Sequence, residues 1–180
     1  MMAHHSIRQT GAVPPTLLIH GIDGNVVLAP QSMDDEKSKD RFVLQARLAC
    51  LAHGADATVF LSEAWMRMPA KAGQSLDLSI PPSEAPDRVE AIIIMGETRN
   101  GHYQKVLPML RSEQGKFIGF GEMPEVIREA DQVKGRFAQF VPPYVPTDEV
   151  RKEAKAALAI LGMVPIEEKK RERGHGRAIF

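Results

Sequence analysis

The strongest constraint on the fold is a pair of apolar runs in the middle of the chain. They occupy residues 89–95 and 106–110, on either side of the dipeptide Asn100-Gly101. Asn-Gly between apolar runs is a strong hairpin signal, because a type I′ turn places both central residues at positive φ and these two tolerate it. The sequence therefore predicts a β-hairpin centred on this dipeptide, and a short strand at residues 117–120 completes a meander.

The predicted turn also fixes a register. With the dipeptide at its centre, Met95 faces Val106 and Glu90 faces Arg111. Both faces of the predicted sheet are apolar in the middle, whereas a sheet with one wet face alternates apolar and polar residues. We therefore expect cover on both sides, by helices or by a second subunit. One of these faces carries Ile92, Ile94, Leu107 and Met109.

Periodicity and end signals predict the remaining elements. In chain order they are a hairpin at residues 16–29, a helix at 31–54 capped by Ser32, a long strand at 57–68, a connection at 69–87, a short helix at 124–134, an edge strand at 136–141 and a helix between Thr147 and Gly162. They give an α+β fold, with a mostly antiparallel sheet of five or six strands and two or three helices packed on it. We expect one domain at residues 14–164, between a flexible tail at 1–13 and a charged tail at 165–180.

Composition narrows the functional classes. The 180 residues contain 23 Lys and Arg and 23 Asp and Glu, so the net charge is zero and no overall field attracts nucleic acid or anionic lipid. The single Cys50 excludes an internal disulfide and a multi-cysteine zinc site, and we interpret it as a core residue. With no secretion signal and no apolar run of about 20 residues, we expect a cytoplasmic protein that does not enter a membrane. No motif predicts a cofactor or metal.

Glu63 is the residue with the clearest chemical potential. It shares one face of the predicted long strand with Trp65. A carboxylate on an apolar face is paired, hydrogen-bonded or protonated, and such environments tune acid–base catalysts. One hypothesis is a small enzyme in which Glu63 is the general acid or base, assisted by Arg99 or His102. The alternatives are an ion pair with Arg88 or a face that has reached solvent.

The tip of the meander hairpin forms a second polar group. It collects Glu97, Arg99, His102 and Gln104. These side chains offer an acid, a base and a cation, although hairpin tips are usually solvated.

The leading functional hypothesis is a non-enzymatic protein-interaction or oligomerisation module. The two-sided apolar meander and the proline-rich connection favour it, and no specific catalytic signature is present. We expect a homodimer or a protein partner, with an interface that contains Ile92, Ile94, Leu107 or Met109. A third hypothesis is weak contact with nucleic acid through the basic tail, since its cations could contact phosphates. These are Lys169, Lys170, Arg171 and Arg173.

Several short motifs resemble small uncharacterised bacterial proteins, some of them associated with phage or mobile elements. The motifs are VPPTLL, a helix that ends in His-Gly-Ala, SEAWM, PPSEAPDR and GRFAQ. The resemblance implies no activity. It implies that four residues of these motifs belong together, namely Glu63, Trp65, Ser83 and Glu84.

Overall fold

The computed structural model describes residues 12–67, 79–122 and 136–163, and the backbone of 166–167. In chain order its elements are β1 (Thr16–Gly21), β2 (Gly24–Leu28), α1 (Glu36–Ala52), β3 (Ala55–Met66), β4 (Val89–Thr98), β5 (Gly101–Arg111), β6 (Phe117–Phe120), α2 (Asp148–Ile160) and β7 (Ile166–Glu167). The sheet order is β6-β5-β4-β3-β1-β2-β7, and every pairing is antiparallel. The predicted α+β class is confirmed, with six strands and a two-residue seventh at one edge.

Strand alternation sends apolar side chains to both faces of this sheet. Leu17 of β1 pairs with Phe60 of β3, which pairs with Met95 of β4, and these three share the face that carries the helices. Their neighbours Leu18 and Val59 pair on the opposite face. The helix-covered face holds the main core, because α1 and α2 pack on each other and on the central strands.

Aromatic residues centre the main core on Phe60. Its ring centroid lies 5.9 Å from that of Phe42 on α1, 5.2 Å from that of Phe137 and 6.3 Å from that of Phe140. Aromatic rings at these separations attract each other beyond their burial of area. Cys50 belongs to the same core and is fully buried, and burial raises the pKa of its thiol, so its interpretation as a core residue is confirmed.

The predicted edge strand at residues 136–141 is wrong. This segment is irregular, and Gln139 has a φ of 60°. A left-handed residue interrupts an extended chain, so the segment cannot form a ladder with the sheet. Instead, the backbone N–H groups of Phe140 and Val141 donate to the buried carboxylate of Glu97 on β4.

The meander is confirmed, but its turn lies one residue earlier than predicted. Thr98 pairs with Gly101, so Arg99 and Asn100 are the central residues, and Met95 faces Gln104. None of the turn residues has a positive φ, which excludes the type I′ turn. The Thr98 hydroxyl accepts from the Asn100 N–H at 3.2 Å, and this local bond favours the earlier turn.

The register error leaves the faces unchanged, because the pairing moves by two residues and side chains alternate with a period of two. It also leaves the predicted Glu90–Arg111 pair intact. The two side chains form a bidentate ion pair as diagonal neighbours, with Arg111 Nη2 2.7 Å from Glu90 Oε1.

The N-caps of α1 and α2 and the end of α2 can be compared with the residues that the sequence predicted for them. The N-cap of α1 is Asp35, whose carboxylate accepts from the Ser38 N–H at 2.6 Å, so the predicted cap at Ser32 is wrong. The Ser32 hydroxyl instead bonds to the Asp34 side chain and backbone in a local turn. For α2, the predicted cap at Thr147 and the left-handed stop at Gly162 are confirmed.

A second, smaller cluster lies on the face opposite the helices. It contains Val13, Ile92 and Met109, with Phe117 and Phe120 packed against them. Val13, assigned to the flexible tail by sequence, is buried. Four predicted features lie outside the described residues. They are residues 1–11 of that tail, the helix at 124–134, and the basic pairs Lys169–Lys170 and Arg171 with Arg173.

The turn between β1 and β2 is tied to α2 by charge, and this contact makes a prediction about pH. Asp23 accepts from Arg151 at 2.5 Å and from Lys155 at 3.0 Å, and these bonds lower its pKa to about 2. A lowered folded pKa means that stability is present above the unfolded value and is lost as the pH falls through the folded value. Asp23→Asn should therefore lower the urea midpoint near neutral pH, and the difference should shrink from about pH 4 to about pH 2.

The matched control is Glu113→Gln in the exposed β5–β6 turn, which should leave the midpoint unchanged at each pH. An Asp23→Asn effect that is as large at the lowest pH as near neutrality would contradict the ion-pair explanation.

Candidate functional site

A cavity lies at the β4–β5 hairpin tip, and we call it the hairpin-tip pocket. Its volume is about 550 Å³, which is within the range of pockets that bind small molecules. Three parts of the fold enclose it: the outer side of α1, the hairpin tip and the irregular segment at residues 139–144. Its polar and aromatic lining comprises Arg47, Glu97, Thr98, Arg99, His102, Gln139, Phe140 and Tyr144.

Glu97 forms the fixed base of this pocket. Its carboxylate is buried, and its two oxygens accept from the N–H of Phe140 at 3.0 Å and from the N–H of Val141 at 3.2 Å. A buried carboxylate needs such donors, because removing it from water is costly. The contact replaces the strand pairing that segment 139–144 lacks, and so it fixes one wall of the pocket.

Arg99 forms the second fixed side of the pocket. Its Nη2 donates to the carbonyl of Ala55 at 2.5 Å, which ties the hairpin tip to the start of β3. Its Nε is buried and has no hydrogen-bond partner among the described residues. A buried donor without a partner costs about 1–3 kcal/mol, so the site carries an unmet hydrogen-bonding demand.

The remaining polar groups leave the pocket with an excess of positive charge. Arg47 and Arg99 are cations, His102 becomes one on protonation, and Glu97 is the one carboxylate in the lining. Both oxygens of that carboxylate are already used by backbone donors. Segment 139–144 adds an apolar wall, which includes the exposed ring of Tyr144.

Glu63 does not join this group. Glu97 shares a face with its ladder partner Thr58 on β3. Because Glu63 follows Thr58 by an odd number of residues on that strand, the two carboxylates lie on opposite faces of the sheet. Glu63 is also separated from the hairpin tip by roughly 20 Å along β4. The assistance that sequence predicted from Arg99 or His102 is therefore not supported by this geometry.

The surroundings of Glu63 also differ from the predicted ion pair with Arg88. Its Oε1 accepts from the N–H of Val13 at 2.5 Å, so the carboxylate anchors the chain before β1. Burial raises the pKa of Glu63, with a smaller raising effect from Glu90, while the Val13 N–H and Arg111 lower it. The net direction is upward, so folding makes protonation of Glu63 more favourable than it is in the unfolded chain.

Arg88 instead connects two of the residues that resemblance placed together. Its guanidinium lies 4.6 Å from the centroid of the Trp65 ring and donates to the carbonyl of Ser83. A cation over an aromatic face is attracted by the ring quadrupole. Next to it, Arg67 forms a bidentate pair with Asp87 at 2.8 and 3.1 Å. These contacts hold the described end of the long connection against β3.

Within that connection, Ser83 and Glu84 have exposed side chains. The Glu84 N–H donates to the carbonyl of Pro81 at 2.9 Å, which closes a tight turn. Both side chains are therefore accessible, as is Trp65, which is 44% exposed.

The face opposite the helices is apolar over several strands and is half-exposed beyond the second cluster. We call this part the open sheet face. Its apolar residues are Leu18, Val27, Val59, Leu61 and Ile94, with Tyr103 at its hairpin end, and the exposed Lys105, the ladder partner of Ile94, lies on the same face. A shallow groove of about 320 Å³ runs over Leu18, Val27 and Val59. The sequence indicated two apolar faces, and the structure shows helices on one of them.

The dimer interface predicted from sequence needs a correction. Ile92 is fully buried and Met109 is 6% exposed, because Val13, Phe117 and Phe120 of the same chain pack over them. These two residues therefore cannot contact a second subunit in this fold. The other two predicted residues, Ile94 and Leu107, are half-buried at the edge of the same cluster.

Comparison of the chain with family models, curated proteins and solved structures gave no match. The resemblance to uncharacterised bacterial proteins therefore stays a prediction. Among the described residues, no helix combines the length and apolarity needed to cross a membrane. The described ranges also contain no group of three or more His, Cys, Asp and Glu side chains arranged for a metal ion.

Sequence reasoning grouped Glu97, Arg99 and His102 but missed the rest of the hairpin-tip pocket. Arg47 lies on the exposed side of α1, and Tyr144 lies in a proline-rich segment. Neither position carries a local signal, because both meet the hairpin only through tertiary packing.

Because the Glu97 carboxylate accepts two buried hydrogen bonds, replacing it by an amide of the same shape should lower the free energy of unfolding. In Glu97→Gln, one of the two backbone N–H groups would face an amide NH₂ instead of an oxygen. We expect a loss of about 1–3 kcal/mol in the free energy of unfolding, measured by urea denaturation. Glu84→Gln is the matched exposed control and should change it by less than about 0.5 kcal/mol. Equal effects of the two substitutions would contradict the assigned role of Glu97.

Replacement of Glu63 by Gln should increase stability near neutral pH, whereas the same replacement at Glu97 should decrease it. Because the folded pKa of Glu63 is raised, its contribution to stability is present below the unfolded pKa and is lost as the pH rises through the folded value. Glu63→Gln keeps an oxygen for the Val13 N–H and removes this loss. The stability of the variant relative to the native protein should therefore increase from about pH 4 to about pH 7. A relative decrease over that range, in urea denaturation at both pH values, would show that the carboxylate stabilises the fold in its charged form.

Proposed function

We propose that this chain is a protein-interaction module that pairs with a second copy of itself through the open sheet face. The supporting observation is the partly exposed apolar surface formed by Leu18, Val27 and Val59 over three adjacent strands. Helices cover the other face of the same strands, and a partner on the open sheet face would complete the cover. Contiguous apolar surface of this kind typically marks an interaction site.

Charge supports a second copy as the occupant. The chain has a formal net charge of zero and a sequence pI of about 7.0, so two copies do not repel each other near neutral pH. A two-fold pair uses the same patch on both subunits, and an apolar patch is complementary to itself. Tyr103, which is 60% exposed on the same face, adds an aromatic side chain of the type enriched at interfaces.

Of the other two hypotheses, one has weaker support in this geometry and one concerns residues outside the described ranges. General acid–base catalysis by Glu63 is favoured by its raised pKa, but the carboxylate already has a backbone partner in Val13. Nucleic-acid contact through Lys169, Lys170, Arg171 and Arg173 concerns residues outside the described part. Both stay predictions.

Oligomeric state measured by size-exclusion chromatography with light scattering tests the proposal. The native protein should show a concentration-dependent dimer. Val59→Lys should raise the dissociation constant by about tenfold or more, because it places a charge at the centre of the apolar patch. Val27→Lys, nearer the sheet edge, is the second variant in case Val59→Lys disturbs folding, which circular dichroism would report.

Ile160→Lys is the matched control. Ile160 is an apolar residue on α2 that is 85% exposed, away from the sheet face, so its substitution should leave the dimer unchanged. A native protein that stays monomeric at every concentration would refute pairing through this face. A control that weakens the dimer as much as Val59→Lys would place the interface elsewhere.

A further inference from the structure

We infer that the hairpin-tip pocket binds a small organic phosphate, with the phosphate group held by Arg47 and Arg99 and an apolar, planar body resting against Tyr144. This site is independent of the open sheet face, because it lies on the side of the sheet that carries the helices. The inference goes beyond the interaction function proposed above and does not depend on it.

The charge of the lining selects an anion. Two guanidinium groups and an imidazole line a cavity of about 550 Å³, and its carboxylate, Glu97, has both oxygens engaged by backbone N–H groups. Glu97 supplies one negative charge against the two guanidinium cations, so the net formal charge of the lining is positive. Guanidinium groups match the oxygens of phosphate bidentately, so paired arginines favour phosphate over a singly charged anion.

Arg99 is held in position for this role. Its Nη2 bond to Ala55 fixes the guanidinium at the pocket, and its buried Nε has no hydrogen-bond partner among the described residues. Arg47 approaches from α1 and is exposed, so it has room to close on a bound anion.

The backbone at the opposite wall is also specialised. Gln139 lines the pocket with a φ of 60°, and it is the one non-glycine residue in the described ranges with a positive φ. Non-glycine residues in this conformation concentrate at ligand sites, where the surrounding structure holds them. Here the N–H groups of the next two residues, Phe140 and Val141, donate to Glu97 and hold the backbone in place. The chain then continues into Pro142, Pro143 and Tyr144.

The apolar wall indicates that the ligand is larger than phosphate itself. Leu51, Val141, Pro142 and Pro143 line the pocket together with Tyr144, whose side chain is 54% exposed. An exposed tyrosine ring offers a flat surface for stacking of an aromatic group. A phosphate ester with an aromatic body therefore matches both halves of the lining.

Calorimetric titration of the full chain with four probes tests the assignment. Phenyl phosphate has both the anion and the ring, inorganic phosphate lacks the ring, phenol lacks the anion, and benzoate carries a carboxylate instead. We expect phenyl phosphate to bind more tightly than inorganic phosphate, benzoate or phenol. Absence of saturable binding of phenyl phosphate at concentrations up to about 10 mM would overturn the proposal. Benzoate or phenol binding as tightly as phenyl phosphate would overturn the phosphate assignment.

Substitutions assign the two halves of the site. Arg47→Gln should weaken phenyl phosphate and inorganic phosphate by about tenfold each, since a hydrogen bond to a charged group is lost. Tyr144→Ala should weaken phenyl phosphate and leave inorganic phosphate unchanged. Arg99→Lys, which keeps the charge but loses the fork, should weaken both probes, with circular dichroism as the check on folding.

Arg41→Gln is the matched control, because it removes the same charge from an exposed position on the same helix outside this pocket. It should leave both affinities within about twofold of the native values. If Arg41→Gln weakens binding as much as Arg47→Gln, the attraction is a general effect of charge and the pocket is not the binding site.

Discussion

The buried carboxylate of Glu97 is the interaction on which the architecture of the hairpin end depends. It joins the end of β4 to the backbone of Phe140 and Val141, which have no strand partner. The left-handed residue before them, Gln139, costs about 1–2 kcal/mol in conformational energy. Two hydrogen bonds to a buried charge can offset such a cost. Because the segment is held there, Phe140 reaches the core ring of Phe60, and residues 142–144 form a wall of the pocket.

The sheet has a different role on each of its faces. On one face, α1 and α2 cover the core around Phe60, and their outer edge leaves room for a polar pocket at the hairpin tip. On the other face, the chain covers Ile92 and Met109 with Val13 and leaves the apolar strip around Val59 half-exposed. The fold therefore separates a surface suited to a protein partner from a cavity suited to a small anion. The two sites use different side chains of the same strands, so a substitution can be directed at one of them alone.

Local signals predicted the elements well where each signal had no competitor. Thr147 and Gly162 mark the ends of α2 because a hydroxyl cap and a left-handed glycine have few alternative uses. The same reasoning failed at Ser32 and at Asn100-Gly101, where a neighbour offered a better local bond. Asp35 supplied a charged cap closer to the helix, and the Thr98 hydroxyl moved the turn one residue earlier. Propensity identifies which residues suit a turn or a cap, and local hydrogen bonds decide among them.

The sequence by itself determined the α+β class, the antiparallel meander and the grouping of Glu97, Arg99 and His102, because alternation and turn position are properties of neighbouring residues. Only the tertiary structure decided that Glu63 lies on the other face, that Ile92 and Met109 are covered by their own chain, and that Arg47 and Tyr144 complete the pocket. These outcomes depend on contacts between residues far apart in the chain. No periodic pattern records such contacts, since their free energy arises from packing that exists only once the elements have assembled.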